Sequence, residues 1–209
     1  DVYKRQQFDN EKIKEQQTVV AFVLDESYSM LRVASDTVDG FNDYMETLRK
    51  DPSQTILYLM TFNSENVGVP YNFEDLSEVS DLETLDYRPD GNTPLLDAVG
   101  ATINKTESYL ATQDLEAPQV LITIMTDGWE NASRFYTHEK ITQMISEKES
   151  EGWEFIYLGA AVSGWSEARS LGIKRRNFSK FDPKDPKAAF RKSAHQAINF
   201  KQQLRKTSI

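Results

Sequence analysis

Two hydrophobic rhythms alternate along the chain. Thr18–Leu24 (TVVAFVL) is a continuous apolar, β-branched run of strand length, as expected for a strand buried on both faces. Beyond it Ala34, Val38, Phe41, Met45 and Leu48 recur at spacings of four, three, four and three, the period of an amphipathic helix. Gln54–Phe62 predicts a second buried strand. Asn66–Phe73 predicts a third, shorter one, which Pro70 assigns to a sheet edge. A turn-rich stretch ends in Arg88–Pro94, and Leu95, Leu96, Val99, Ile103 and Leu110 then mark a second helix. Gln119–Met125 is another apolar strand. His138–Glu151 predicts a polar helix with Ile141, Met144 and Ile145 turned inward, and Trp153–Ala160 a strand. Gly164–Gly172 reads as a short helix stopped by glycine, Arg176–Phe181 as a last edge strand. From Asp185 onward Phe190, Ala194, Ala197 and Ile198 outline a closing helix.

Strands alternating with helices predict a single α/β domain: a doubly wound, mostly parallel sheet with one short antiparallel edge strand near Val67–Tyr71 and helices on both faces. The domain is expected to span 18–209, including a C-terminal basic helix. Residues 1–17 are expected to form an N-terminal extension, and its opening DVYKRQ resembles translated adapter sequence rather than native protein. Open α/β sheets bind ligands beyond the carboxyl ends of their strands. The segments after Leu24 and after Met125 therefore fall on one rim.

Composition narrows the chemistry available on that rim. There is no cysteine and there are only two histidines, His138 and His195, so disulfides, thiolate catalysis and His-rich or Cys-based zinc sites are excluded. Any metal must be held by oxygen, which favours hard ions such as Mg, Ca or Mn. The net charge of −9 is unevenly spread: residues 174–209 hold 11 Lys+Arg against 2 Asp+Glu, leaving 13 against 31 elsewhere. The plain reading is a basic helical face lying on an acidic body. Overall acidity, and the lack of an aromatic-basic recognition motif, argue against nucleic acid. No apolar run approaches the ~20 residues of a membrane span, and no charged n-region precedes an h-region. Together with the missing cysteine, this predicts a cytoplasmic protein that meets no membrane.

Three signals sit at the strand ends. Asp25-x-Ser27-x-Ser29 follows the first strand, Thr93-Pro94 precedes the second helix, and Thr126-Asp127-Gly128 follows the Gln119 strand. Each has an ordinary structural reading, as helix cap, Pro at the first helical position, or turn. Together they bring two carboxylates and three hydroxyls to one place. Unpaired carboxylates crowded on a half-buried rim repel one another, and a divalent cation relieves that repulsion.

These residues resemble the von Willebrand factor A domain with its metal-ion-dependent adhesion site: Asp-x-Ser-x-Ser, a distant Thr, and a later Asp before Gly. GWEFIYLGA and the following LGI are similar to bacterial and phage intracellular versions. The visible departure is Met30, where many members have Gly; it stiffens the loop without removing a ligand. The resemblance implies that Ser27, Ser29 and Thr93 bind Mg²⁺ (or Mn²⁺ or Ca²⁺) through their hydroxyls. Asp25 and Asp127 would act through bound water. It further implies a non-catalytic module that accepts an Asp or Glu from a partner protein. Tyr28, Asn92, Trp129, Glu130 and Asn131 are the candidate ligand contacts, although the residues after Asp127 could equally cover the end of the core.

Two other readings stay open: a metal-assisted receptor for a phosphate-bearing small anion, and a hydrolase. A phosphotransferase would want a second acid where Ser27 stands, and no P-loop, G-x-S-x-G or G-x-G-x-x-G is present. His138 reads as a surface histidine at a helix start, with no acid-base partner nearby.

Overall fold

The strand and helix periods build a six-stranded sheet with helices on both faces. The computed structural model describes residues 17–113, 118–182 and 184–207. The first strands and helices are β1 (Thr18–Asp25), α1 (Ala34–Arg49), β2 (Thr55–Phe62), β3 (Val67–Asp75) and α2 (Leu95–Ala111). They are followed by β4 (Gln119–Thr126), α3 (His138–Ser150), β5 (Glu154–Ala160), α4 (Ala161–Ser170), β6 (Phe178–Phe181) and α5 (Pro186–Thr207). The spatial order is β3-β2-β1-β4-β5-β6, with every neighbouring pair parallel except β2 and β3. Of the expected N-terminal extension, 1–16 lies outside the described residues.

The sheet is covered on both sides because β1, β2 and β4 are apolar on both faces. Val19, Ala21 and Val23 of β1 pack into one core with Leu95, Val99 and Ile103 of α2, Ile141 of α3 and Ala168 of α4. Val20, Phe22 and Leu24 pack into the other with Phe41 and Met45 of α1 and Phe190 and Ala194 of α5. Phe22 sits at the centre of that second core, with rings of Phe41, Tyr44 and Phe190 at 5.1, 5.4 and 5.9 Å. Among the described residues no helix is long and apolar enough to cross a membrane.

Several boundaries differ from expectation. β1 includes Asp25, which pairs with Phe62, so the first acid of the motif belongs to the strand itself. β3 is an edge strand, as Pro70 implies, but it is not short: it runs nine residues to Asp75. Two register shifts and a left-handed Phe73 (φ 57) curl it. The Phe73 ring stacks on Tyr58 at 4.6 Å and on Tyr109 of α2 at 4.2 Å, an apolar anchor that a two-residue period does not reveal. The last strand is shorter than Arg176–Phe181, because Arg175–Asn177 form a 3₁₀ turn. α4 begins at Ala161, before the expected Gly164, and stops before Gly172, whose φ of +82 favours glycine.

β1 stands between β2 and β4, so the chain leaves it on one side and returns on the other. The carboxyl ends of β1 and β4 are therefore the place where such a sheet opens a crevice.

Candidate metal centre

Asp25 closes β1 inside that crevice, fully buried. Its Oδ1 accepts the Ser27 N–H at 2.7 Å and its Oδ2 accepts the Thr126 hydroxyl at 2.5 Å. Its backbone carbonyl accepts the Tyr87 hydroxyl. The carboxylate is thus aimed by neutral donors from β1's own loop and from β4. Ser27 is buried, Ser29 is exposed, and their hydroxyl oxygens lie 3.2 Å apart. The Ser29 hydroxyl donates to Asp127 Oδ1 at 2.5 Å, joining the first loop to the loop after β4. Met30, the departure from the family pattern, is wholly buried in the α1–α5 core and anchors this loop from below.

Thr93 is brought in by a separate set of bonds. Asn131 Oδ1 accepts the Thr93 N–H at 2.8 Å, and the Asn131 N–H donates to the Thr93 carbonyl at 3.2 Å. The preceding loop is sewn to its neighbours: Tyr28 N–H to Gly91 carbonyl at 3.1 Å, Asp90 N–H to Glu26 carbonyl at 3.0 Å, and Asn92 N–H to Ser64 Oγ at 2.9 Å.

Gly128 shows how closely the oxygens converge. A Cβ at this position would lie 3.2 Å from Thr93 Oγ1, 3.6 Å from Ser29 Oγ and 3.9 Å from Asp25 Oδ2. Oxygens from the end of β1, the loop that follows it and the loop before α2 thus face one small volume that any side chain at 128 would fill. The donors are hydroxyls and carboxylates, the chemistry that suits a hard divalent ion. Among the described residues no group of three or more His, Cys, Asp or Glu gathers as a metal site. The convergence here is of mixed donors.

The electrostatics agree. Burial pushes the Asp25 carboxyl up to about 6; the hydrogen bonds from Thr126 and Ser27 oppose this and the Asp127 charge adds to it. Asp127 is also raised, chiefly by burial, against the Ser29 hydrogen bond and the Arg32 charge. Both carboxylates are held where negative charge is poorly solvated, which is a cost that a cation offsets.

The expected ligand contacts divide into two groups. Tyr28 (65% exposed) and Trp129 (53% exposed) stand out on the rim, and Asn92 is exposed between them in the chain order of the loops. Glu130 and Asn131 serve the fold. Both Glu130 carboxylate oxygens are taken, by the N–H groups of Leu96, Ala132 and Ser133 and the Ser133 hydroxyl, so Glu130 caps the start of α2. Asn131 clamps Thr93. Thr126 and Tyr87, not anticipated, orient Asp25; Thr126 is adjacent to Asp127 in sequence, whereas nothing in the sequence marks Tyr87. His138 does have an acid partner, Glu167 on α4, at 3.0 Å. That buried carboxylate ties α4 to the start of α3, and among the described residues no hydrogen bond links the pair to the cradle.

The model of the von Willebrand factor type A domain family matches residues 20–193, and the chain belongs to that family. No curated protein matches the sequence. Among solved structures, the von Willebrand factor type A protein from Catenulispora acidiphila superposes with a TM-score of 0.64 at 12% identity, over 86% of this chain and 42% of that one. Proximal thread matrix protein 1 from the mussel byssus, with a zinc-occupied MIDAS motif, gives 0.57 at 14% identity, over 88% and 47%. The manganese-loaded TRAP protein of Plasmodium vivax gives 0.57 at 14% identity, over 85% and 73%. The first two matched chains are more than twice the length this chain spans of them.

Proposed function

We propose that this protein is a non-catalytic, divalent-cation-dependent binding module that recognises an acidic side chain on a partner protein. The cation, Mg²⁺ or Mn²⁺ before Ca²⁺, would be held at Asp25, Ser27, Ser29, Thr93 and Asp127, the adhesion site of the family. The observation that carries this reading is the convergence of Thr93, Ser29 and Asp25 oxygens on the volume in front of Gly128. The zinc and manganese in two structural neighbours support a divalent ion.

The chain's own residues divide the work. Ser27, Ser29 and Thr93 offer neutral hydroxyls, which leave a bound cation strongly electrophilic. Asp25, fixed by Ser27 and Thr126, and Asp127, bonded to Ser29, balance its charge and orient its waters. The bound cation supplies an anion-attracting coordination position on a rim that two carboxylates otherwise make repellent to a carboxylate partner. A binding role fits the His138–Glu167 pair, which among the described residues is engaged between α3 and α4 rather than turned to the cradle.

The test is isothermal titration of Mg²⁺ and Mn²⁺ into EDTA-treated protein, with Asp25→Ala and Thr93→Ala in parallel. Single-site binding, lost in both variants without unfolding, supports the reading; unchanged metal affinity in Asp25→Ala sinks the assignment. Partner capture should require the cation, and a partner retained equally in EDTA would refute the mechanism.

A further inference from the structure

We propose that the groove beside the cradle is the second half of the recognition surface, and that it takes an extended peptide segment whose large apolar side chain lies a few residues from the acidic one, with a further carboxylate beyond. This inference rests on the binding reading above and adds a partner chemistry to it.

The groove encloses about 800 Å³, within the range of ~300–1,000 Å³ that binding pockets occupy. It runs between the β2–β3 hairpin, the first turns of α2 and the segment leading into α3. Met60, Phe62, Ala98 and Ala101 make its apolar floor. Two side chains on its lips are conspicuously exposed for their type: Phe135 at 85% and Val67 at 57%. Unsatisfied apolar surface of this kind, rimmed by polar groups, marks an interaction site.

Three observations choose the occupant. The first is continuity: Pro94, which lines the groove, directly follows Thr93 of the cradle, and Ser64, which also lines it, is bonded to Asn92. A ligand on the cation therefore reaches the groove within a few residues, at ~3.3 Å per extended residue. The second is charge. Arg134 and Lys140 line the groove and form no ion pair among the described residues, on a chain of net charge −9. Asp97, the acid among the lining residues, cancels one of these charges and leaves the lining at a net +1; its oxygens are turned to the N–H groups of Arg134, Phe135 and Tyr136 at 2.8 to 2.9 Å, away from an ion pair with either cation. The third is shape. The groove is open along its lips, where Val67 and Phe135 stand exposed, which suits an extended chain laid across it better than a small molecule that must be mostly enclosed.

The test is selection from a displayed library of random linear peptides in Mn²⁺, followed by fluorescence anisotropy with synthetic copies of the winners. The expected winners pair Asp or Glu with Phe, Leu or Met a few positions away and a second acid beyond. Replacing the apolar residue by Ala should weaken binding at least tenfold, the worth of burying one such side chain. Ala101→Phe, which fills the groove, should do the same. Lys140→Glu, an exposed change in the first turn of α3 that does not threaten folding, should weaken binding several-fold. Mn²⁺ affinity should stay as in the parent in both variants. Metal-dependent peptides indifferent to these changes overturn the groove and leave the cation reading standing. Apolar-dependent peptides that bind equally in EDTA uphold the groove and remove the cation bridge. Failure to select any peptide, full-strength binding of 3-phenylpropionate alone, or self-association of the protein lost in Lys140→Glu would each overturn the peptide as occupant.

Discussion

Gly128→Ala separates the cradle from the fold. Gly128 is not among the residues with positive φ, so alanine can adopt its backbone conformation. Shrinking the unfolded ensemble in this way stabilises a protein by ~0.4–1 kcal/mol. Against this stands the tight 3.2 Å approach of the new methyl to Thr93 Oγ1. The two effects nearly cancel, and metal-free stability should change by less than about 1 kcal/mol. Metal binding should not survive so well. A Mg²⁺ ion needs its oxygens at ~2.0–2.1 Å and keeps several waters. The methyl would sit between 3.2 and 3.9 Å from three of the proposed donors, in the volume the ion and its waters require. The parent protein at a metal concentration of 100 Kd should gain ~2.7 kcal/mol. For a domain of this size each kcal/mol moves Tm by ~2–4 °C, so the parent should rise by roughly 5–10 °C on adding Mn²⁺. Calorimetric scans of both proteins in EDTA and in Mn²⁺ measure this. The variant should melt near the parent in EDTA and gain little from the metal. An Mn²⁺ shift in Gly128→Ala equal to that of the parent would refute the reasoning.

Further predictions follow from neighbouring groups. In metal-free protein Asp25 titrates near 6 against 3.8 unfolded, so the unfolded chain ionises first and stability falls as pH rises between those values. By linkage about 3 kcal/mol is lost by neutral pH, and urea unfolding in EDTA should show Asp25→Asn free of that loss. Glu130→Ala orphans the N–H groups of Leu96, Ala132 and Ser133, and should lower stability by ~1–3 kcal/mol in the same assay. Lys201, fully buried, reaches Asp51 at 3.3 Å and Thr55 Oγ1 at 2.6 Å. Lys201→Met should cost ~3–5 kcal/mol in denaturant titration, and Asp51→Asn added to it should recover most of that loss.

The central sheet was legible because β1, β2 and β4 are apolar on both faces, a pattern that only a doubly covered strand shows. The end of β3 was not, because a left-handed Phe73 and two register shifts break the period of two, and the anchoring rings of Tyr58 and Tyr109 are remote in sequence. The five proposed ligands were readable for a local reason: Asp25, Ser27 and Ser29 lie at alternate positions after one strand, and Thr93 and Asp127 adjoin recognisable turn residues. What orients them was hidden. Thr126 meets Asp25 across 101 residues, Tyr87 across 62, and Asn131 meets Thr93 across 38. Glu130 reads on paper as a ligand contact, yet its oxygens are taken by one N–H of α2, that of Leu96, and by Ala132 and Ser133 of its own loop. The groove is assembled from three separate segments, each of which reads as an ordinary strand end, helix start or loop.

The most direct measurement is an anomalous difference map from a crystal soaked in Mn²⁺ and measured at the manganese edge. The account predicts one strong peak within bonding distance of Ser29 Oγ and Thr93 Oγ1, between the carboxylates of Asp25 and Asp127, and no such peak in Asp25→Ala. A parent crystal with manganese bound elsewhere and nothing in front of Gly128 would contradict it.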